Sequence, residues 1–120
     1  MKHSIFARDL AASKDRAKIR GRIQRLIDKW QPILDVHLNS WDLREMKTYW
    51  GSTNRETKHI LFNPELAKLP ARDAEYLVVH ELMHLRTDGH DKRFYELMDR
   101  KLPGWRKRQA RIEEPLSRYS

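Results

Sequence analysis

The stretch Val79–His84, VHELMH, continues as Leu85–His90, LRTDGH, and carries the strongest chemical pattern in the chain. An α-helix turns by about 100° per residue, so His80 and His84 project from nearly the same face, one turn apart. Two imidazoles at that spacing can bind one Zn²⁺ at ~2.0–2.1 Å each. Glu81 lies at the edge of that face, where it can take a proton from a metal-bound water instead of binding the metal.

His90 supplies the third ligand that a catalytic zinc usually has, with a fourth position open for water. Gly89 accepts the left-handed conformation that ends helices, so we expect the helix to stop near Asp88 and the chain to turn back. An accidental pair of histidines on a surface helix is the alternative. The predicted metal ligands are His80, His84 and His90, and the predicted general base is Glu81.

Length and cysteine content restrict the class of protein. The chain has 120 residues, which fits one domain over 1–120. It has no cysteine, which excludes disulfides and thiolate zinc sites. No apolar run approaches the ~20 residues of a membrane span, and the N-terminal apolar stretch is too short for a signal peptide. We therefore expect a cytoplasmic protein without membrane contact.

The charge is strongly basic, with a net charge of +8 and a pI of about 10.0. Lysine and arginine are concentrated in two segments, Lys14–Lys29 and Arg100–Arg111. Such an excess favours DNA or another polyanion as a partner, through counterion release. A basic surface that merely keeps the protein in solution is the alternative.

The first half of the chain predicts a helix followed by a small sheet. Apolar residues at spacings of three and four indicate a helix over about 5–30, which we expect Pro32 to end. Strands are predicted at about 40–48 and 58–62, with Trp50–Asn54 (WGSTN) as a turn. An antiparallel hairpin over about 40–62 would have Arg55–Thr57 at its tip. The helix stripe consists of Ile19, Ile23, Leu26, Ile27 and Trp30.

The strand at 58–62 is a candidate edge strand, to which an extended peptide could add as a further strand. An ordinary core strand is the alternative. The two interpretations differ in whether the backbone of these residues is open to a partner.

Helices dominate the second half. Asn63 followed by Pro64 predicts a short helical turn, interrupted by Leu69-Pro70. Pro70 then opens a core helix over about 71–87, on which the H-E-x-x-H residues lie. The fold class is thus α+β, with a small sheet packed on helices. The predicted buried face of the core helix consists of Ala74, Leu77, Val78, Leu82 and Leu85.

Two further helices are predicted near the C-terminus. Asp91 can cap a helix over about 91–102, and Pro103-Gly104 breaks it. An arginine-rich helix from Trp105 to Glu114 follows, closed by Pro115. The predicted apolar stripe of the first of these helices consists of Phe94, Leu97, Met98 and Leu102.

Three stretches in this order resemble the YgjP-like metallopeptidase domain, which is related to the SprT-like and WLM-type zinc peptidases. They are Tyr49–Ser52 (YWGS), Tyr76–Leu85 (YLVVHELMHL) and His90–Tyr95 (HDKRFY), the last leading to Leu102-Pro103. The resemblance runs from about Trp41 to Arg111.

The resemblance implies a zincin-like fold with a catalytic core over about 33–112. By position it makes His80, His84 and His90 zinc ligands and Glu81 the catalytic base. The sequence departs from the family pattern in two places. Thr53 stands where a cysteine usually follows W-G-S, and Tyr49 stands where an arginine usually precedes the tryptophan.

The main functional hypothesis is a zinc-dependent peptidase of the gluzincin or SprT-like kind that hydrolyses peptide bonds by metal-activated water. Its substrates could include proteins bound to nucleic acid, as for some SprT-like relatives. One alternative is a basic nucleic-acid-binding module with a structural or idle zinc site. Another is a zinc hydrolase that acts on something other than peptides.

Several polar residues are candidates for supporting roles. The transition-state donor could be Tyr49, His59 or Tyr95, although each is also an ordinary packing or surface residue. Asp88 and Asp91 could orient a histidine, and a helix cap is the alternative for Asp91.

Overall fold

The computed structural model describes the backbone of residues 2–112 and the side chains of residues 15–112. This part of the chain is α+β, as predicted, with four α-helices, one 3₁₀ turn and a three-stranded sheet. None of its helices is both long and apolar enough to cross a membrane. The elements are α1 Lys2–Leu34, β1 Ser40–Leu43, β2 Gly51–Asn54, β3 His59–Phe62, a 3₁₀ turn Pro64–Lys68, α2 Ala71–Met83, α3 Lys92–Lys101 and α4 Trp105–Ile112.

Helix α1 continues through Pro32, so the prediction that this proline ends the helix is wrong. The buried stripe extends to Leu34, whose burial favours two more helical residues. The helix then ends in a Schellman motif, with Asp35 in the left-handed region at φ 55°. The N–H of Val36 donates to the carbonyl of Gln31 at 3.0 Å and closes the motif.

The sheet is mixed and has the strand order β1-β3-β2. Strands β2 and β3 form an antiparallel hairpin whose turn spans 55–58 and contains the predicted tip. Strand β1 ends at Leu43 and pairs with β3 in parallel, so the antiparallel pairing predicted for 40–48 is wrong. The WGSTN stretch supplies β2 instead of a turn. It lacks the apolar alternation that identifies a strand, because Gly51 and Thr53 face a helix at close range.

Strand β3 is the central strand, so the prediction that 58–62 forms an edge is wrong. Pairing with both neighbours occupies the backbone of β3, and Ile60 and Phe62 are fully buried. Among the described strands, β1 and β2 form the two edges.

Helix α2 is the core helix and ends at Met83, four residues before the predicted end. The N–H groups of His84, Leu85 and Arg86 each donate to the carbonyl three residues earlier, which tightens the last turn. Gly89 is left-handed, with φ 67°, but lies in the loop after the helix instead of ending it. The predicted buried face is confirmed for Ala74, Leu77, Val78 and Leu82, whereas Leu85 is only partly buried.

Helices α3 and α4 cover one side of α2. The Asp91 carboxylate accepts the N–H of Phe94 at 2.9 Å, which confirms the predicted cap of α3. Trp105 of α4 stacks on Tyr76 of α2, and the carbonyl of Ile112 accepts the indole N–H of Trp50 at 3.2 Å. The predicted end of α4 at Pro115 lies outside the described residues.

Candidate metal centre

Three histidine side chains converge where α2 ends. His80 belongs to the last turn of α2, His84 is its C-cap, and His90 follows in the loop before α3. Their Nε2 atoms form a nearly equilateral triangle. The Nε2 of His80 lies 3.2 Å from that of His84 and 3.2 Å from that of His90, and the third edge is 3.1 Å.

The chemistry of this donor set fits a divalent cation. Each imidazole nitrogen offers either one N–H or one lone pair, so three mutually adjacent nitrogens cannot all be satisfied by hydrogen bonds to one another. Tetrahedral ligands at 2.0–2.1 Å from zinc lie about 3.3–3.4 Å apart, close to the edges of this triangle. The structure therefore brings the three predicted ligands together in an arrangement suited to one metal ion.

The phenyl ring of Phe94 packs against all three imidazoles. Its centroid lies 5.2 Å from that of His80, 5.3 Å from that of His84 and 4.7 Å from that of His90. The Asp91 cap fixes the first turn of α3, which carries this ring. The sequence predicts Phe94 as a core residue and as part of the segment His90–Tyr95 that carries the family resemblance, whereas its packing on the three imidazoles is visible only in the structure.

The centre is buried on one side and open on the other. His80 and His84 are 1% and 7% exposed, whereas His90 is exposed to solvent. His90 therefore marks the more open side of the centre.

Glu81 is 1% exposed and lies against β2. The hydroxyl of Thr53 is 2.7 Å from its Oε1 and 3.0 Å from its backbone carbonyl, and can donate to either oxygen. A Cβ on Gly51 would come within 2.8 Å of the Glu81 Cγ, so only glycine permits this approach. The sequence places Gly51 and Thr53 in a predicted turn, Gly51 also in the YWGS stretch of the resemblance and Thr53 as a departure from it, but it does not indicate their contact with Glu81.

The residues predicted as transition-state donors, or as partners that orient a histidine, make their contacts away from the three histidines. The Nδ1 of His59 lies 2.6 Å from the Ser40 hydroxyl, on the sheet, and Tyr95 stacks on Trp105. The Tyr49 side chain is exposed, and Asp88 is exposed and forms an ion pair with Arg55 at 3.8 Å. These contacts assign none of these residues a role at the metal centre.

Comparison with known proteins gives the fold and the family. None of the curated proteins is significantly similar to this chain. The crystal structure of the metallopeptidase zymogen of Pyrococcus abyssi abylysin has a similar fold, with a TM-score of 0.71. That similarity covers 81% of this chain and 97% of the other at 22% identity, which shows the fold alone. The family model described as YgjP-like, metallopeptidase domain, matches residues 7–114. Because this match spans most of the sequence, the chain belongs to the YgjP-like metallopeptidase family, as the resemblance indicated.

Proposed function

We propose that residues 1–120 form one zincin-like domain that hydrolyses peptide bonds, with zinc on His80, His84 and His90 and with Glu81 as general base. The observation that carries the proposal is the triangle of Nε2 atoms with edges of 3.1–3.2 Å. Glu81 directly follows His80, one of its three members, in the sequence. Imidazole ligands without a thiolate suit zinc, although other divalent ions also accept them.

The proposed chemistry divides between the metal and the chain. When bound, zinc supplies Lewis acidity that makes water nucleophilic near neutral pH and polarises the scissile carbonyl. The Glu81 carboxylate accepts a proton from the attacking water and donates it to the leaving amine nitrogen as the C–N bond breaks. The Thr53 hydroxyl donates to Oε1 of Glu81 and holds that carboxylate in place during both transfers.

The outer edge of β2 is the proposed place for an extended substrate. The N–H of Asn63 donates to the carbonyl of Trp50 at 2.9 Å, so these two residues form a hydrogen-bonded pair. In the observed register, the backbone groups of Gly51 and Thr53 then point away from β3. A peptide that adds to this edge would pass beside Glu81, since Gly51 and Thr53 both lie against the Glu81 side chain.

The test compares Glu81→Gln with the wild type after zinc reconstitution. We expect cleavage of unstructured proteins to fall by about 10²–10⁴-fold, because general acid–base catalysis contributes that much. Zinc content, measured by elemental analysis, should stay unchanged, whereas His90→Ala should lose zinc. A Glu81→Gln protein that cleaves normally would exclude Glu81 as the base. Small amides that are cleaved in place of peptides would favour the non-peptide hydrolase.

A second proposal concerns a nucleic-acid partner, which would direct the peptidase to proteins on nucleic acid. A groove between the start of α2 and α4 is lined by the basic residues Arg72, Lys107, Arg108 and Arg111, of which Arg111 forms an ion pair with the buried Asp73. Phosphate groups are the ligands that such a groove would favour.

Fluorescence anisotropy of a labelled DNA oligonucleotide tests this partner. The double variant Arg72→Ala/Lys107→Ala should weaken binding several-fold, and the matched double variant Lys47→Ala/Lys58→Ala should not. Absence of binding by the wild type at low salt would remove the proposed partner and leave the peptidase proposal intact.

The cytoplasmic location expected from the sequence also stays a prediction.

A further inference from the structure

We propose that Tyr76 is a positioning residue for the metal ligand His80, and that Trp105 of α4 holds Tyr76 in place. The inference rests on the metal centre of the proposed function. It adds Tyr76, through which the affinity of that centre for zinc depends on the packing of α4.

The contact lies within one helix turn of α2. The Tyr76 hydroxyl is 3.2 Å from the Nδ1 of His80, four residues later, and both residues are at most 1% exposed. The Nε2 of His80 faces the other two histidines. A histidine that offers its Nε2 lone pair to a metal carries its proton on Nδ1, which here donates to the Tyr76 oxygen. The tyrosine therefore favours the tautomer and the ring orientation that metal binding needs.

Tyr76 is itself held by a contact with α4. Trp105 stacks on its ring with centroids 6.1 Å apart and planes within 8°. The Trp105 indole donates to the Asp99 carboxylate at 2.8 Å, which ties α4 to α3. The C-terminal end of α4 is tied to the chain just before β2 by the bond between Trp50 and Ile112. Contacts from two other parts of the fold thus limit the movement of the tyrosine ring.

Tyr76→Phe removes the oxygen and keeps the ring, so it isolates the hydrogen bond. Tyr95→Phe is the matched control, because Tyr95 also stacks on Trp105, with centroids 5.9 Å apart, but has an exposed ring. Zinc dissociation constants would be measured for the three proteins by competition with a chromophoric chelator. Loss of such an orienting partner weakens metal binding by about 10–100-fold, which we expect for Tyr76→Phe. We expect Tyr95→Phe to stay within about twofold of the wild type.

Two further measurements separate positioning from general stability. Tyr76→Phe loses one buried hydrogen bond, so its metal-free form should melt a few degrees lower than the wild type but still in one cooperative transition. The visible spectrum of the cobalt-loaded Tyr76→Phe protein should differ from the wild type. A long-range ¹H–¹⁵N spectrum of the zinc-loaded wild type should show His80 protonated on Nδ1, a test that does not depend on the variant folding.

Equal zinc affinities and cobalt spectra for Tyr76→Phe and wild type would overturn the inference, as would a His80 protonated on Nε2. A wild type that binds zinc but cleaves no peptide would overturn the proposed function alone. A wild type that binds no metal would overturn both.

Discussion

Two small residues of β2 determine how closely the strand approaches the Glu81 carboxylate. Gly51 leaves room for the side chain of Glu81, and Thr53 supplies a hydroxyl at hydrogen-bond distance from it. A residue with a larger side chain, or without a donor, would change the position of the carboxylate before it changed the fold. Each residue therefore allows a separate prediction.

Gly51→Ala should destabilise the protein by about 1–3 kcal/mol, the usual cost of forcing a methyl group into a packed site. The added Cβ would lie 2.8 Å from Cγ and 3.0 Å from Cδ of the buried Glu81 side chain. Urea denaturation measures the loss. Gly21→Ala is the control, since its Cβ would meet only the flexible end of Arg25, and alanine stabilises a helix interior by roughly 0.5–1 kcal/mol. A Gly51→Ala protein as stable as the wild type would contradict the close approach.

Thr53→Val keeps the shape of the side chain and removes the hydroxyl that contacts Oε1 of Glu81. A hydrogen bond to a charged group contributes about 1.5–3 kcal/mol, so kcat should fall by roughly tenfold or more. KM and zinc content should stay unchanged, and Thr53→Ser should restore most of the rate. Steady-state kinetics on a fluorogenic peptide measure these values. If valine and serine lowered kcat equally, the hydroxyl would have no part in positioning Glu81.

At the scale of elements, Glu75 joins α2 to α1. Its carboxylate accepts hydrogen bonds at 2.9 Å from the Lys29 ammonium and at 2.9 Å from the Trp30 indole. Burial raises the pKa of Glu75, but the bonds from Lys29 and Trp30 more than offset this, so its pKa lies below the ordinary 4.5. Because the folded pKa is the lower one, the stabilisation is present above about pH 4.5 and is lost as the pH falls through the folded pKa.

Glu75→Gln should therefore cost about 1 kcal/mol of unfolding free energy at pH 7, since the charge of the acceptor is lost. The difference from the wild type should shrink as the pH falls below the ordinary carboxyl pKa. Denaturation curves over a pH series measure it. Glu65→Gln is the control, because the exposed Glu65–Lys68 ion pair contributes no more than about 0.5 kcal/mol to the unfolding free energy. A difference that stayed constant down to pH 3 would show that the charge of Glu75 is not the cause.

At the scale of the whole molecule, the three proposed metal ligands lie at the end of α2 and in the loop before α3. A metal that binds only the folded state stabilises it by about 2.7 kcal/mol at a free concentration of 100 times Kd. Zinc should therefore raise the Tm of the wild type by roughly 5–15 °C, and a chelator should reverse the rise. Differential scanning calorimetry measures the shift. His90→Ala should lose most of it and His59→Ala should keep it, whereas an unchanged wild-type Tm would argue against the metal centre.

Short-range features of this protein followed from the sequence because they depend on residues close together along the chain. The spacing of His80 and His84 predicts one helix face, and the caps at Asn63 and Asp91 are local hydrogen bonds that the structure confirms. The apolar stripe of α1 and the buried face of α2 followed from helical periodicity in the same way. The convergence of His90 with that face was also predictable, since only five residues separate it from His84.

The remaining features were decided by tertiary structure, because they depend on residues that meet across the fold. Strand β2 forms at a stretch without apolar alternation. It pairs with one side of β3, and β1 pairs with the other side in parallel. Helix α1 passes Pro32 because burial of Leu34 outweighs a local preference. Sequence patterns record which residues are apolar and how far apart they lie. They do not record which side chains meet, and the contact of Thr53 with Glu81 depends on that alone.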